Sequence, residues 1–429
     1  MMDKKIGVIG LWHLGCVVSA SWAKLGYKVT GFDYDESRIN NLQNGIPPIF
    51  EPNLAELIKD RIANNLLQYS TEVKALSECD FIFLCYDTPV RDDDSSDTSI
   101  LVKSVEDVRK IMKDSAILIV SSQSPVGYCS ELRKKMKDFN GTLDLAYSPE
   151  NLRLGEAINC YLNPGRIILG TANKETETRC VNLFNKITNE IVRMNLESAE
   201  MVKHGINSFL SMSIVFSNHL ADICEAKGAK IEDVVKGLKS DMRIGEKAYL
   251  APGIGFSGGT LGRDLKVLDS VNNVSKGDAK LFGIIHSLNS ERKNSILKKT
   301  EKILKGIDGK TIGILGLTYK PGTSTLRRSL PLEIVSLFQS QGATIKVYDP
   351  KADYSELNYE PNWEISKNIE EVAKNSDMLV LLTEWEEFKN YDWSTVTKLM
   401  NNKTFFDAKN VLDELEMKNF GFKYYSIGK

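Results

Sequence analysis

Short apolar runs alternate along the first half of the chain with segments in which apolar residues recur every three or four positions. The apolar runs, each typical of a buried strand, lie at residues 5–10, 28–33, 81–85, 116–120 and 166–170. The helical patterns lie at residues 16–25, 36–44, 53–65, 100–113 and 129–137. This alternation is typical of a parallel sheet covered by helices on both faces. Residues 1–195 are therefore predicted to form a doubly wound α/β domain.

A long helix is predicted next, at residues 196–227. Its apolar residues recur at the three-to-four spacing of a buried helix face, namely at Met201, Ile206, Phe209, Leu210, Ile214, Val215, Leu220 and Ile223. They cover more than one face of the helix, which favours dimerisation through it. A glycine-rich loop at residues 250–260 and a helical pattern at residues 278–304 follow. We interpret residues 196–305 as a central helical domain.

The last part of the chain repeats the strand and helix alternation on a smaller scale. Strands are predicted at residues 310–317, 344–348 and 378–382, and helices at residues 330–341 and 369–373. Residues 306–429 are thus predicted to form a second α/β domain. The predicted fold class is α/β, with two Rossmann-like doubly wound parallel-sheet domains joined by a central helical domain.

Composition excludes several classes of protein. Of the 429 residues, 42% are hydrophobic and 26% are charged, and the net charge is −2, so we expect no nucleic-acid partner. No apolar run approaches the roughly 20 residues that cross a bilayer, and no signal-peptide pattern precedes the strand that begins near Ile6. We expect a cytoplasmic protein with no membrane partner.

Metal binding and disulfide bonding are not expected. The seven cysteines contain no CxxC pair, and the four histidines, His13, His204, His219 and His286, have no metal-ligand spacing. The acidic run at residues 91–97 is most simply a solvated loop.

A glycine turn follows the first strand. Gly10-Leu11-Trp12-His13-Leu14-Gly15 runs into a helix, and Asp33 ends the next strand, where a dinucleotide fold places the carboxylate that binds the adenosine ribose. This order predicts NAD on the helix N-terminus, at Gly10 and Gly15. The middle glycine of the motif is Trp12, so its indole must turn outward or displace the phosphates; the alternative is a fold that has lost its dinucleotide. We interpret His13 as a loop residue.

Ordered motifs along nearly the whole chain resemble the UDP-glucose/GDP-mannose dehydrogenase family. They lie at residues 45–52, 88–89, 125–127, 148–153, 164–166, 200–203, 207, 241–245, 255–256, 316–317, 320, 348–350, 384–385 and 407–410. The resemblance implies NAD as cofactor, no metal, a nucleotide-sugar substrate held between the α/β halves, and a homodimer. It implies cofactor contacts at Gly10, Trp12, His13, Leu14, Gly15, Asp33, Thr88, Pro89, Ser122 and Arg327. It implies substrate contacts at Asn151, Leu152, Arg243, Tyr249, Gly255, Phe256, Gly258 and Lys320.

Members of that family oxidise a sugar alcohol to an acid with two NAD, and a cysteine captures the intermediate aldehyde. Alignment of residues 256–264 on the family's cysteine motif places Thr260 at the cysteine position. Gln123 stands where the family has a water-positioning threonine. A threonine hydroxyl ionises far less readily than a thiol, so a thioester route is not expected.

Two further positions of the candidate catalytic site depart from the family, since Leu154 stands for its second glutamate and Arg263 for a lysine. Four candidate catalytic residues keep their family positions. By resemblance, Lys203 stabilises the developing alkoxide, Asn207 and Asp264 orient the reacting oxygen or a water, and Glu150 assists proton transfer. The alternative for Lys203 is a structural ion pair with Asp264 or Glu150.

Three hypotheses about function follow. The chain oxidises a nucleotide sugar to the acid through an aldehyde hydrate, or it stops after one oxidation, or it is a non-catalytic protein that binds a sugar nucleotide.

Overall fold

The computed structural model describes residues 4–88, 97–136, 143–149, 152–257, 259–274 and 280–429, with the backbone alone for residues 271–274. The chain divides into two compact units, Met1–Gly205 and Ile206–Lys429. The boundary between them falls inside one long helix. The three predicted domains, residues 1–195, 196–305 and 306–429, stay a prediction.

The first unit is built on a twisted sheet with helices on both faces. Its strands are β1 (Lys5–Ile9), β2 (Lys28–Phe32), β3 (Leu67–Ser70), β4 (Phe81–Leu84), β5 (Ile117–Val120), β6 (Leu145–Tyr147), β7 (Ile167–Thr171) and β8 (Ile191–Met194). Its helices are α1 (His13–Lys24), α2 (Glu36–Gln43), α3 (Leu54–Ala63), α4 (Ser99–Arg109), α5 (Tyr128–Lys135), α6 (Ala157–Leu162) and α7 (Lys174–Phe184), and α8 (Leu196–Lys227) begins in it.

The order of the described strands is β3-β2-β1-β4-β5-β6-β7-β8. Strand order reverses between β1 and β4, which makes their carboxyl ends the expected ligand edge. The expectation of a fully parallel sheet is wrong at one position, because β7 runs antiparallel to β6. The connection between them stays at the carboxyl edge, where the Glu51 carboxylate accepts hydrogen bonds from the backbone N–H groups of Gly155 and Ala157.

Alternate residues of each strand face opposite layers of the core. Ile6 and Val8 pack in one cluster with the helix α1 side chain Trp22, whereas Ile9 and Leu84 pack in a second cluster on the other face. Burial on both faces explains why these strands read as continuous apolar runs in the sequence.

The second unit holds the rest of α8 and a second sheet. Its further helices are α9 (Ile231–Ser240), α10 (Gly259–Val274), α11 (Leu281–Leu304), α12 (Leu330–Ser340), α13 (Ile369–Ala373), α14 (Glu386–Lys389) and α15 (Glu414–Asn419). Its strands are β9 (Thr311–Leu315), β10 (Thr344–Tyr348), β11 (Glu364–Ile365), β12 (Met378–Leu381), β13 (Thr404–Asp407) and β14 (Lys423–Ser426). These described strands are all parallel, in the order β11-β10-β9-β12-β13-β14. The predicted fold class is confirmed.

Helix α8 differs from its prediction in which side chains it buries. Ile214 and Val215 are buried, and Val215 packs with Leu265 of α10 and Ile285 of α11. Phe209, Ile223 and Met201 are instead exposed. Three of the eight residues predicted for a buried face are thus exposed, because the helix carries a second apolar stripe that its own chain does not cover.

Candidate active site

The turn after β1 needs both of its glycines. Gly10 has φ +85°, and a Cβ there would lie 2.7 Å from the Tyr86 ring. A Cβ on Gly15 would lie 1.8 Å from the Gly10 carbonyl oxygen, because α1 begins directly against the turn. This close approach places the N-terminus of α1 at the carboxyl edge of the sheet, as an anion-binding turn requires.

Asp33 lies at the end of β2 and is buried. Its Oδ2 accepts hydrogen bonds from the Leu11 backbone N–H at 2.7 Å and from Nη1 of Arg38 at 2.8 Å, and its Oδ1 accepts one from the Asp35 N–H at 3.1 Å. The carboxylate is thus fixed beside the glycine turn, in the position predicted for a ribose ligand. The sequence interpretation missed Arg38, although its position in the first turn of α2, just after Asp33, was a usable signal.

Trp12 is the N-cap residue of α1, and its indole is turned towards α2. The Arg38 guanidinium carbon lies 5.2 Å from the ring centroid. The ring borders a cavity of about 260 Å3. No side chain caps this helix N-terminus, and its first turn contains no acidic residue, with Leu14 buried there beside Gly15. The uncapped helix N-terminus fits the phosphates of NAD, and the indole lies against Arg38. Which of the two sequence alternatives holds for the indole stays a prediction.

His13 is the first residue of α1 and not a loop residue as predicted. Its Nε2 lies 2.9 Å from Oε2 of Glu51. Because Glu51 also binds two backbone N–H groups of the turn before α6, it ties the glycine turn to the connection between β6 and β7. His13 thus supports the turn, and Glu51 is a structural partner that the sequence interpretation did not single out.

Three predicted residues meet at the carboxyl ends of β4 and β5. The Thr88 hydroxyl donates to the Gln123 carbonyl oxygen at 3.1 Å, and the Ser122 hydroxyl donates to the Leu84 carbonyl oxygen at 3.1 Å. Nε2 of His204, on α8, lies 2.9 Å from the Ser124 carbonyl oxygen. These contacts hold the loop at residues 121–124 against the edge where the cofactor is expected.

Glu200 of α8 holds the start of α5. Its buried carboxylate accepts hydrogen bonds from the N–H groups of Gly127 at 2.6 Å and Cys129 at 2.8 Å. Burial raises the pKa of Glu200, although these hydrogen bonds act in the opposite direction. The Glu200 carboxylate therefore holds the backbone that follows the loop with Gln123, because both of these hydrogen bonds come from backbone N–H groups.

The second unit brings together two of the predicted catalytic residues. Nδ2 of Asn207, on α8, donates a hydrogen bond to Oδ2 of Asp264, on α10, and both side chains are buried. Nε of Arg263 lies 3.7 Å from the other carboxylate oxygen. Thr260 is exposed in the first turn of α10, one turn before Asp264 on the same side of the helix. Sequence alone treated this stretch as the end of a loop.

Lys203 lies one helical turn before Asn207 on α8 and is partly buried. Four predicted residues, Pro89, Glu150, Asn151 and Gly258, lie outside the described residues. Their roles stay predictions.

The loop at residues 253–257 is held by buried polar groups. Asn218 Oδ1 accepts the Gly253 N–H at 2.7 Å, and Asn289 of α11 binds both the N–H and the carbonyl of Phe256, at 2.9 and 3.0 Å. Gly255 has φ +104°, and a Cβ there would lie 2.6 Å from the Asn289 oxygen. The structure thus explains Gly255 as a packing requirement of a loop that precedes α10.

Among the other residues predicted to bind substrate or cofactor, the following contacts lie within one unit of the chain. Leu152 packs against the core of the first unit. Arg243 is exposed and forms an ion pair with Asp241 at 2.7 Å, and Tyr249 is exposed. The Lys320 amino nitrogen lies 5.6 Å from the centroid of the Tyr319 ring. Arg327 is exposed, and its backbone N–H donates to Glu356 at 3.1 Å. Binding by these residues stays a prediction.

Asp349 is the counterpart of Asp33 at the end of β10. Its Oδ2 accepts from the Leu317 N–H, the Thr318 N–H and hydroxyl, and the Trp385 indole N–H, at 2.7 to 3.1 Å. Its Oδ1 accepts two further backbone N–H groups. Asp349 thus accepts six hydrogen bonds from described protein groups and Asp33 accepts three, so less of the Asp349 carboxylate is left to bind a ribose.

The cysteines are all described. Six of the seven are buried, and Cys160 is partly exposed. Burial raises the pKa of Cys79 and of Cys180 to about 12. Cys224, the one cysteine after residue 205 in the sequence, packs in the core with Ala221 and Ile231.

The described residues contain neither a group of metal ligands nor a membrane-spanning helix. No group of three or more His, Cys, Asp and Glu side chains there could hold a metal ion. No helix in the described ranges has the length and apolar character to cross a bilayer.

Models of three successive domains of one family match the chain. The NAD binding domain of the UDP-glucose/GDP-mannose dehydrogenase family matches residues 4–188, its central domain matches residues 197–291, and its UDP binding domain matches residues 313–414.

Whole proteins match with similar coverage. A UDP-glucose 6-dehydrogenase from Rickettsia prowazekii is 32% identical over 433 residues, which cover 99% of this chain and 99% of that protein. A UDP-glucose 6-dehydrogenase from Bacillus subtilis is 32% identical over 429 residues, which cover 99% and 97%. The fold matches a UDP-glucose dehydrogenase structure from Pyrobaculum islandicum with a TM-score of 0.89 at 23% identity, over 99% of this chain and 97% of that one. The similarity thus extends over nearly the whole chain.

Proposed function

Because this chain belongs to the UDP-glucose/GDP-mannose dehydrogenase family, we propose that it is an NAD-dependent nucleotide-sugar dehydrogenase that oxidises a sugar alcohol without a cysteine thioester. When bound, NAD supplies the hydride acceptor. The Gly10 turn, the uncapped start of α1 and Asp33 hold its phosphates and ribose.

The buried Asn207–Asp264 hydrogen bond is the observation that carries this proposal. A carboxylate without solvent exposure is costly unless polar groups surround it, and here Asn207 and Arg263 lie beside the Asp264 carboxylate. The pair lies at the start of α10, one turn from the position where the family has its cysteine. Retention of Asn207 and Asp264 beside Thr260 supports redox chemistry without covalent capture of the aldehyde.

The side chains have separate roles in the proposed reaction. Loss of a hydride from the alcohol carbon and of a proton from its oxygen gives an aldehyde. Lys203 stabilises negative charge on that oxygen as the proton leaves, and Asn207 and Asp264 orient the oxygen. Glu150 receives the proton, and Gln123 lies in the loop expected to face this oxygen.

The second oxidation does not need a thiol. Water adds to the aldehyde to give a hydrate, and loss of a second hydride and a proton from the hydrate gives the acid. Asp264 orients that water. The position of Cys224 in the core supports this route, because the second unit offers no other thiol in the sequence.

Stoichiometry tests the proposal. Purified protein is incubated with NAD and a panel of UDP-, GDP- and TDP-sugars, while NADH is measured by absorbance and products are identified by mass. Two NADH per sugar and an acid product are expected. One NADH per sugar with an aldehyde or ketone product shows a single oxidation. No NADH with any sugar, despite binding of one of them, shows a non-catalytic sugar-nucleotide-binding protein.

Lys203 provides a second test. Lys203→Ala is expected to reduce kcat by about 100-fold or more, because one preorganised group that stabilises developing charge contributes about 10²–10³. Lys203→Arg keeps the charge and is expected to lose less. An unchanged kcat in Lys203→Ala assigns the side chain to a structural ion pair.

We also propose a homodimer that forms through α8. Phe209, Met212, Phe216 and Ile223 are exposed, and at 100° per residue they fall within about 60° of the helix circumference. A straight apolar stripe on one helix can pack on the same stripe of a second copy around a twofold axis. This arrangement explains why α8 has more than one apolar face.

Mass measurement in solution tests the dimer. The chain is expected to have twice the monomer mass, and Phe216→Glu is expected to give the monomer. Leu415→Glu is the matched control, because Leu415 is also exposed but lies on α15, away from the stripe. A monomeric wild-type chain excludes this dimer.

A further inference from the structure

Trp12, Arg38, Asp33 and Asp35 form one connected cluster beside the predicted ribose site. Nη1 of Arg38 donates to Asp33 at 2.8 Å, and Nη2 lies 3.2 Å from Oδ2 of Asp35. The Trp12 ring covers the guanidinium at 5.2 Å. Arg38 is therefore held on two edges by carboxylates and on one face by the indole.

The charge of this cluster disfavours a phosphate. Two carboxylates and one guanidinium leave a net negative charge where the adenosine ribose is expected. An arginine near this position accommodates the 2′-phosphate of NADP in other dinucleotide folds, but only if its N–H groups can turn towards the phosphate. Here those N–H groups are directed to Asp33 and Asp35.

Space does not exclude a phosphate at this position. The adjoining cavity of about 260 Å3 is bordered by Trp12, Ser37, Arg38, Asn41, Ile46 and Pro48. A phosphate group is much smaller than this cavity, so discrimination against it depends on where the guanidinium is directed.

We propose that Trp12 is a positioning residue that holds Arg38 on Asp33 and Asp35 and thereby makes the site select NAD over NADP. The inference rests on the proposed use of a nicotinamide dinucleotide and adds a role for the residue that replaces the middle glycine. Without the indole, the guanidinium is free to rotate into the cavity and meet a 2′-phosphate.

Direct binding tests the proposal without turnover. The dissociation constants of NAD and NADP for the full chain are measured by calorimetry in wild type, Trp12→Gly, Trp12→Phe and Asp35→Asn. Wild type is expected to bind NAD at least about tenfold more tightly than NADP. Trp12→Gly is expected to reduce that ratio about threefold, since an exposed cation–π contact contributes about that factor. Trp12→Phe retains an aromatic face and is expected to keep the ratio within about twofold.

Asp35→Asn is the independent variant. Asp35 caps α2 by accepting the Arg38 N–H at 3.0 Å, and asparagine caps a helix equally well, so this change removes a charge and keeps the fold. It is expected to reduce the NAD preference in the same direction as Trp12→Gly. Thermal melting of each variant confirms folding.

The outcomes separate this inference from the proposed function. If Trp12→Gly changes both dissociation constants by the same factor, the indole only fills space, and this inference is wrong while the dehydrogenase proposal stands. A wild type that prefers NADP also contradicts it. If folded wild type binds neither dinucleotide, the redox proposal itself is wrong.

Discussion

Asn207 and Asp264 are 57 residues apart in the chain, yet the Asn207 amide donates a hydrogen bond to the buried Asp264 carboxylate. The amide lies on α8 and the carboxylate on α10, so the pair depends on the packing of these two helices. That packing is apolar at its centre, where Val215, Leu265 and Ile285 meet. The position of the polar pair therefore follows from burial of apolar side chains nearby.

Asp264→Asn is expected to lower kcat by about 100-fold or more, because the amide keeps the shape but removes the charge that orients the reacting oxygen or water. The NAD dissociation constant is expected to stay within about twofold of wild type. Steady-state kinetics and calorimetry measure the two quantities. Asp269→Asn, further along α10, is the control, and equal losses in both variants would contradict a specific role for Asp264.

Thr260→Ala is expected to keep kcat within about threefold of wild type, because the proposed route forms no bond to this side chain. Thr260→Cys places a thiol in the first turn of α10, where the helix N-terminus favours the thiolate, so we expect rapid alkylation at neutral pH. Rapid-quench kinetics and mass analysis of the intact protein give both results. A loss of about 100-fold in Thr260→Ala would instead identify the threonine as a nucleophile.

Gly15→Ala is expected to weaken NAD binding about tenfold or more and to destabilise the fold by about 1–3 kcal/mol, because its methyl group meets the Gly10 carbonyl oxygen. Calorimetry and thermal melting measure these effects. Gly165→Ala is the matched control, since no atom lies within 4 Å of the added Cβ. Unchanged NAD binding in Gly15→Ala would show that the cofactor does not use this turn.

Glu200 and Glu197 are predicted to affect stability with opposite pH dependence. Burial raises the pKa of Glu200 above 4.5, so its contribution is full below pH 4.5 and is lost as the pH rises through the raised value. The hydrogen bond from the Ser130 hydroxyl lowers the pKa of Glu197 below 4.5, so its contribution is present above pH 4.5 and is lost as the pH falls.

Thermal melting of Glu200→Gln and Glu197→Gln between about pH 3 and pH 7.5 measures this difference. The advantage of wild type over Glu200→Gln is expected to shrink as the pH rises, and its advantage over Glu197→Gln is expected to shrink as the pH falls. The same slope in both comparisons would be inconsistent with these pKa directions.

The sequence predicted the first glycine turn, five of the eight described strands of the first sheet and three of the six described strands of the second. Residues 5–10 and 310–317 read as strands because both faces of a parallel sheet are buried, so consecutive side chains such as Val8 and Ile9, or Ile314 and Leu315, are apolar. The roles of Gly10, Gly15 and Asp33 could be predicted because a tight turn and the end of a strand are determined by residues that are adjacent in the sequence. The family motifs identified Asn207 and Asp264 as candidates in the same way.

Which faces of the helices and strands pack against each other could be seen only in the tertiary structure. Helix α10 begins with glycine, a poor helix former, and is supported by packing of Leu265, which no local pattern reveals. The antiparallel pairing of β7 with β6 is likewise not visible in any local pattern, and the Trp12 ring lies against Arg38 on another element. Whether Phe209 on α8 is buried or exposed likewise depends on which other elements pack against that face of the helix. The spacing of apolar residues predicts which side chains are candidates for burial. Contacts between elements that are distant in the chain determine what each of those side chains packs against.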